Sequence, residues 1–260
     1  MAGPGGTAAR PTDRRMIVAS PDPVQVEAFA RARDEVLGRI SAAAARSGRD
    51  PAVVTLVAVC KTVSVDRVRA AVAAGLVVLG ENRVQEAAAK IPEVPGASWH
   101  LIGPLQSNKA RRAVELFDVI ESVHDEDLAR RLDGIAQATP GGRQIPVLLQ
   151  VNVDRDPAKA GFDPAELEAA IERLDSLGGL DVRGLMTIGR LATNPEEARP
   201  TFASLRALSE RLRARWPRMG PELSMGMTDD FEVAVEEGAT IVRVGRALFR
   251  DRVTRPTGRP

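Results

Sequence analysis

Four lysines, Lys61, Lys90, Lys109 and Lys159, stand among many arginines in the 260 residues. They are the only side chains able to offer a neutral amine to an aldehyde or ketone, because a guanidinium stays protonated in proteins. Lys61 ends the run Thr55-Leu56-Val57-Ala58-Val59-Cys60. Period-two alternation puts it on the face of Val57 and Val59, where an amine at the edge of an apolar interior would be desolvated and its neutral, nucleophilic form favoured. The plainer alternative is a solvated lysine at a strand end. Cys60 alternates to the other face and reads as a small core hydrophobe. Lys109 and Lys159 fall after later strand-like runs, whereas Lys90 closes a helical stretch, where a cation complements the helix dipole.

A second cluster lies near the C-terminus, in Leu223-Ser224-Met225-Gly226-Met227-Thr228-Asp229-Asp230 and Ile241-Val242-Arg243-Val244-Gly245-Arg246. Glycine lets backbone approach an anion, and free N–H groups at a helix start attract phosphate. Gly226, Thr228, Gly245 and Arg246 therefore read as a phosphate cup after two neighbouring strands. The plainer alternative has Asp229 capping the next helix, with Glu232 in the capping-box position. Asp229 and Asp230 do not read as a catalytic acid/base pair. Arg243 shares a strand face with Ile241 and Gly245, and its simplest role is that of a buried ion-pair partner. His100 and His124 are isolated and read as packing or surface residues, His100 being nearer a strand end.

These residues need a frame. Strand-like runs span Thr55–Lys61, Leu76–Asn82, Trp99–Gly103, Val119–Val123, Val147–Asn152, Val182–Ile188, Glu222–Gly226 and Ile241–Gly245. Amphipathic stretches lie between them at Val65–Ala74, Asn108–Phe117, Glu126–Ala138, Pro164–Leu177, Pro195–Trp216 and Asp230–Glu237, and a short one follows Asn82. Eight β/α units of this size predict a single (β/α)8 barrel, in which functional residues gather at the C-terminal strand ends. A leading helix covers Pro23 to about Ser47. Residues 1–22 read as a flexible arm, with Met16 as an alternative start, the barrel occupies 23–252, and 253–260 form a flexible tail.

Composition narrows the partners. The net charge is +1 with basic and acidic residues interspersed, which lacks the footprint of a nucleic-acid or membrane-surface binder. No run approaches the roughly 20 apolar residues of a membrane span and no signal-peptide hydrophobic region is evident, so a cytoplasmic location is expected. One cysteine and two histidines leave neither an internal disulfide nor a metal site to expect. A monomer is the default.

The chain resembles the pyridoxal phosphate homeostasis protein family, of the YggS or PROSC type, from about Val24 to Arg252. The resemblance rests on Ala58-Val59-Cys60-Lys61-Thr62, Gly80-Glu81-Asn82, Trp99-His100-Leu101-Ile102-Gly103-Pro104-Leu105-Gln106-Ser107-Asn108-Lys109, Arg183-Gly184-Leu185-Met186, Ser224 through Asp230, and Val242-Arg243-Val244-Gly245. It implies a barrel like the N-terminal domain of alanine racemases (fold type III), with pyridoxal 5'-phosphate held as a Schiff base on Lys61. The cofactor-binding set is then Lys61, Asn82, Ser224, Gly226, Thr228, Arg243, Gly245 and Arg246, with the phosphate near Ser224, Gly226, Thr228, Gly245 and Arg246, and Arg243 near the pyridine ring. It also implies a carrier that buffers the cofactor or delivers it to client apoenzymes, with no catalytic residue. Cys60, Thr228 and Arg246 stand where the family more often has serine, serine and threonine or serine. Arg246 either adds charge to the phosphate site or points away and leaves its backbone N–H. The main alternative, an amino-acid racemase, needs a second base, usually a tyrosine, and the sequence contains no tyrosine. A phosphosugar-binding barrel enzyme would explain the phosphate cup and leave Lys61 without a task.

Overall fold

The computed structural model describes residues 20–139, 141–189 and 194–249. Eight parallel strands close into a barrel in sequence order. They are β1 (Thr55–Val59), β2 (Val78–Glu81), β3 (Ser98–Leu101), β4 (Val119–Val123), β5 (Ile145–Gln150), β6 (Leu180–Met186), β7 (Glu222–Ser224) and β8 (Ile241–Val244). Closure comes from β8 pairing with β1, with Val57 opposite Arg243 and Ala58 opposite Val244. The helices are α1 (Pro23–Arg46), α2 (Val65–Ala73), α3 (Val84–Lys90), α4 (Ala110–Leu116), α5 (Glu126–Gln137), α6 (Pro164–Asp175), α7 (Arg199–Arg215), α8 (Phe231–Glu236) and α9 (Arg246–Phe249). None of the described helices is long and apolar enough to cross a membrane. Nearly all of the expected arm, and the whole expected tail, lie outside the described residues.

The period-two pattern of the strands separates two apolar layers. Ala58 and Cys60 join the shell between sheet and helices, whereas Val57, Leu148, Met186 and Ile241 form a small cluster inside the barrel. The interior is thus filled by side chains, as a barrel of eight strands requires. Gly80 faces the same interior, and a Cβ there would meet Val57 Cγ1 at 2.8 Å.

Helix α1 seals the seam between β8 and β1 from outside by packing on α2, α8 and α9. It starts where Asp22 Oδ1 accepts the Val24 N–H at 3.0 Å and Pro23 takes the first turn. It ends at Ser47, and Gly48 follows with φ +66°. Its buried positions, Phe29, Ala32, Val36, Ile40, Ala43 and Ala44, recur every three or four residues. Phe29 meets Phe249 edge-on at 5.4 Å. Each large apolar side chain so buried contributes about 1.5–3 kcal/mol, so a charge at Val36 or Ile40 is expected to destabilise the protein by at least that much.

The strands are shorter at their C-terminal ends than alternation suggests. The chain leaves β1 after Val59, β2 after Glu81 and β7 after Ser224, so Lys61, Asn82 and Gly226 sit in loops rather than on strands. The single helix expected over Pro195–Trp216 is a 3-10 turn at Pro195–Ala198 followed by α7. Pro200 has no N–H to continue a preceding turn and serves instead within the first turn of α7.

Candidate functional site

The C-terminal rim of the barrel collects three of the four lysines. Lys61 lies two residues beyond β1, Lys109 ends the 3-10 turn Ser107–Lys109 after β3, and Lys159 lies in the loop after β5. Lys159 Nζ reaches the Gly189 carbonyl at 3.0 Å beyond the end of β6. Lys61 is exposed. The desolvated amine expected from alternation is therefore not what the fold builds: β1 stops first, and the lysine is carried on an exposed turn at the C-terminal rim. That turn runs from Cys60 to Val63, closed by the Val63 N–H donating to the Cys60 carbonyl at 3.1 Å. Its third residue, Thr62, has φ +62°. A β-branched residue is rarely found in that region, and it costs on the order of 1–3 kcal/mol.

Below the mouth lies a buried polar network that the sequence reading only half anticipated. Arg243, 4% exposed, donates from Nη1 to Ser224 Oγ at 2.5 Å and from Nη2 to the Thr187 carbonyl at 2.7 Å. Ser224 Oγ in turn donates to Glu121 Oε2 at 2.5 Å. The other oxygen of Glu121 pairs with His100 Nδ1 at 2.6 Å. Glu121 is fully buried, and Arg243 stands 4.0 Å from it. Burial pushes the Glu121 carboxyl up, but the hydrogen bond and charge of His100, the charge of Arg243 and the Ser224 hydroxyl outweigh it and hold the group below the ordinary carboxylate range. Burial draws Arg243 down from its ordinary value, opposed by Glu121 and Asp230. Arg243 remains a cation at neutral pH, because a guanidinium is not deprotonated in proteins.

Arg243 is thus the buried ion-pair partner that its strand position suggested. His100 is neither on the rim nor on the surface; it is a buried partner of Glu121. Glu121 itself was missed, although a carboxylate inside Val119-Ile120-Glu121-Ser122-Val123 was a signal available in the sequence. His124 sits at the end of β4, with Nε2 3.2 Å from Asp125 Oδ2.

The two loops beside Arg243 are built by glycine. Gly226 has φ +90°, and a Cβ there would lie 2.5 Å from Ala234 Cβ, so only glycine lets the chain pass under α8. The Gly245 Cβ position lies 3.3 Å from the Val59 carbonyl oxygen, which seats the β8–α9 loop against the end of β1. Thr228 is half-buried on the β7–α8 loop. Asp230, not Asp229, occupies the helix-capping position, and its carboxylate accepts the Met227 N–H at 2.6 Å. Asp229 pairs with Arg246, both exposed. Of the predicted phosphate group, then, Gly226, Thr228, Gly245 and Arg246 flank the mouth. The Ser224 hydroxyl is committed to Arg243 and Glu121 below it. Asn82 is half-buried just past β2, and Gly103 packs so closely on it that a Cβ would lie 2.4 Å from the Asn82 carbonyl oxygen.

Lys90 corrects the expectation made of it. It is buried rather than complementing a helix dipole at the surface, and its Nζ donates to Glu81 Oε1 at 2.5 Å and to the Cys60 carbonyl at 2.8 Å. Cys60 belongs to the core, as its face predicted, and burial together with the charge of Glu81 pushes its thiol up. The native protein is therefore expected to react with a disulfide reagent at least on the order of 100-fold more slowly than free cysteine, and at the free rate once unfolded. A fast native reaction would contradict this packing.

Residues 34–253 match the model of the alanine racemase N-terminal domain. The pyridoxal phosphate homeostasis protein of Pseudomonas aeruginosa is 44% identical over 218 residues, covering 83% of this chain and 92% of that one. The solved structure of PipY from Synechococcus elongatus with pyridoxal phosphate bound superposes with a TM-score of 0.74 at 43% identity, covering 85% of this chain and 99% of that one. The alanine racemase of Corynebacterium glutamicum superposes with a TM-score of 0.65 at 18% identity, over 86% of this chain and 61% of that one, a likeness of fold alone.

Proposed function

Because the chain belongs to the alanine racemase N-terminal domain family, and within it to the pyridoxal phosphate homeostasis proteins, we propose that it binds pyridoxal 5'-phosphate on Lys61 and buffers or delivers it inside the cytoplasm with little or no turnover. When bound, pyridoxal phosphate supplies an aldehyde for an amine and an aromatic ring that withdraws electrons most strongly when its nitrogen is protonated. The donor set suits that group: an exposed primary amine at the mouth, two glycine loops beside it and a guanidinium below. Lys61 provides the amine. Asn82 lines the mouth beside it, and Gly226, Thr228, Gly245 and Arg246 hold the phosphate. Ser224 acts one step further in, by orienting Arg243.

The observation that carries the reading is the locked state of Arg243. Bonded to Ser224 and the Thr187 carbonyl and facing Glu121, it is held in place as a donor. A permanent cation offered to a ring nitrogen donates a hydrogen bond without giving up its proton, so the electron sink stays weak and carbanion chemistry is restrained. The exposure of Lys61 supports the second half of the proposal, since an amine in open solvent can exchange its partner with other amines and with client apoenzymes. The same openness forgoes the exclusion of water on which a dedicated racemase would draw.

The test pairs two assays on the loaded protein. Incubated with the apo form of an enzyme that needs this cofactor, the protein is expected to restore its activity. In deuterated water it is expected to exchange the α-proton of alanine at no more than roughly a thousandth of the rate of a typical enzyme turnover of about 10 per second. Racemisation at an enzyme's rate, abolished by Lys61→Ala, would overturn the carrier reading.

A further inference from the structure

Among the described residues, the pair Lys90–Glu81 is the buried ionic contact near the mouth that the proposed binding chemistry leaves unused. Glu81 is fully buried and Lys90 is 8% exposed. Desolvating two charges costs several kcal/mol each, and an apolar pair of similar volume often stabilises a core as well or better. Stability alone is therefore a poor reason for this pair. Its partners suggest another. The Cys60 carbonyl accepts both the Lys90 ammonium at 2.8 Å and the Val63 N–H at 3.1 Å, and this carbonyl opens the turn that carries Lys61. Glu81 holds the ammonium from behind, accepts weakly from Cys60 Sγ at 3.5 Å, and takes the Asn82 N–H on its other oxygen at 3.2 Å. One ion pair thus ties the ends of β1 and β2 to the last residue of α3.

The turn needs holding. Thr62 occupies its third position at φ +62°, a place usually given to glycine. Without an external constraint a β-branched residue would relax to negative φ, the turn would open, and Lys61 would swing. A charge-assisted hydrogen bond, roughly twice as strong as a neutral one, is well matched to opposing a strain of that size.

We propose that Lys90 and Glu81 form a clamp that holds the Cys60–Val63 turn closed and so fixes where Lys61 presents its amine. Lys90 is in this account a positioning residue, and not a second amine for the cofactor. The inference rests on the reading of Lys61 given above.

The double variant Lys90→Met/Glu81→Leu removes the clamp without orphaning a charge. It is expected to fold and to exchange the Val63 amide hydrogen roughly tenfold faster in protein free of cofactor, and to bind pyridoxal phosphate roughly tenfold more weakly, which is 1.4 kcal/mol in each case. Adding Thr62→Gly makes positive φ free of penalty. It is expected to recover at least about threefold of the affinity in the clampless background, and less in the natural one. A lesion of general packing would show no such coupling. Should the double variant not fold, Lys90→Gln, which keeps a donor and loses the charge, is read the same way with shifts of about threefold. Unchanged Val63 exchange with affinity within about twofold, or an equal effect of Thr62→Gly in both backgrounds, would overturn the clamp. If the natural protein forms no adduct on Lys61, it is the underlying reading that fails, and Val63 exchange still decides the clamp.

Discussion

Replacing Arg243 by leucine is expected to lower the thermal midpoint on the order of 10 °C, since breaking a buried pair costs about 3–5 kcal/mol and each kcal/mol moves a chain of this size by about 2–4 °C. The loss comes less from the arginine than from what it leaves behind. Glu121 is fully buried, and without Arg243 it keeps its hydrogen-bond partners His100 and Ser224 but loses the guanidinium charge. The effect has a pH signature. The folded Glu121 carboxyl is held below its ordinary value of 4.5, so its contribution is complete above pH 4.5 and is lost as pH falls through the folded value. The gap between natural protein and variant should therefore be widest near neutral pH and narrow below pH 4.5. Thermal unfolding followed from pH 7 to pH 3 checks both statements. A midpoint within 2 °C of the natural protein throughout, or a gap that widens in acid, would show that Arg243 does not balance Glu121.

Replacing Lys61 by alanine is expected to do the opposite. The side chain is exposed, so the stability change should stay within about 0.5 kcal/mol. The borohydride-trapped adduct with pyridoxal phosphate, by contrast, should fall from about one per chain to background, because on the proposed reading Lys61 supplies the amine that forms it. On the same reading, cofactor held by the β7–α8 and β8–α9 loops and Arg243 alone would remain as a weaker complex that borohydride does not label. Trapping at an undiminished level, carried by Lys109 or Lys159, would move the site along the rim. Those two lysines start from different positions: Lys159 is already bound to the Gly189 carbonyl, whereas Lys109 ends a 3-10 turn.

The architecture was legible because each strand is a short β-rich run and each crossover helix is amphipathic, two periods that do not imitate each other. Strand ends were less so. Lys61, Asn82 and Asn152 continue the alternation of β1, β2 and β5 in sequence while the backbone has already turned away, because pairing stops where the barrel wall stops. Conversely β5 begins at Ile145, ahead of a proline that reads as a boundary. Glycine positions around the mouth were readable for the same reason that they are needed, as at Gly226, where no side chain fits.

The pairings within the polar network were not legible, and the reason is distance along the chain. Ser224 meets Glu121 across 103 residues, and Arg243 meets the Thr187 carbonyl across 56. No local pattern encodes such pairings; only the closure of eight strands puts β3, β4, β7 and β8 around one point. Lys90 shows the local version of the same failure. As the last residue of α3 it has the position of a dipole-complementing surface cation, but it is buried and its side chain turns inward to Glu81 instead.

The measurement that bears most directly on the central claim is reduction of the natural protein with borohydride after incubation with equimolar pyridoxal phosphate, followed by peptide mapping. One pyridoxyl group on the peptide that carries Lys61, with a visible absorption band that disappears on reduction, is the predicted result. Label absent, or spread over Lys90, Lys109 and Lys159 as readily as over Lys61, would contradict it.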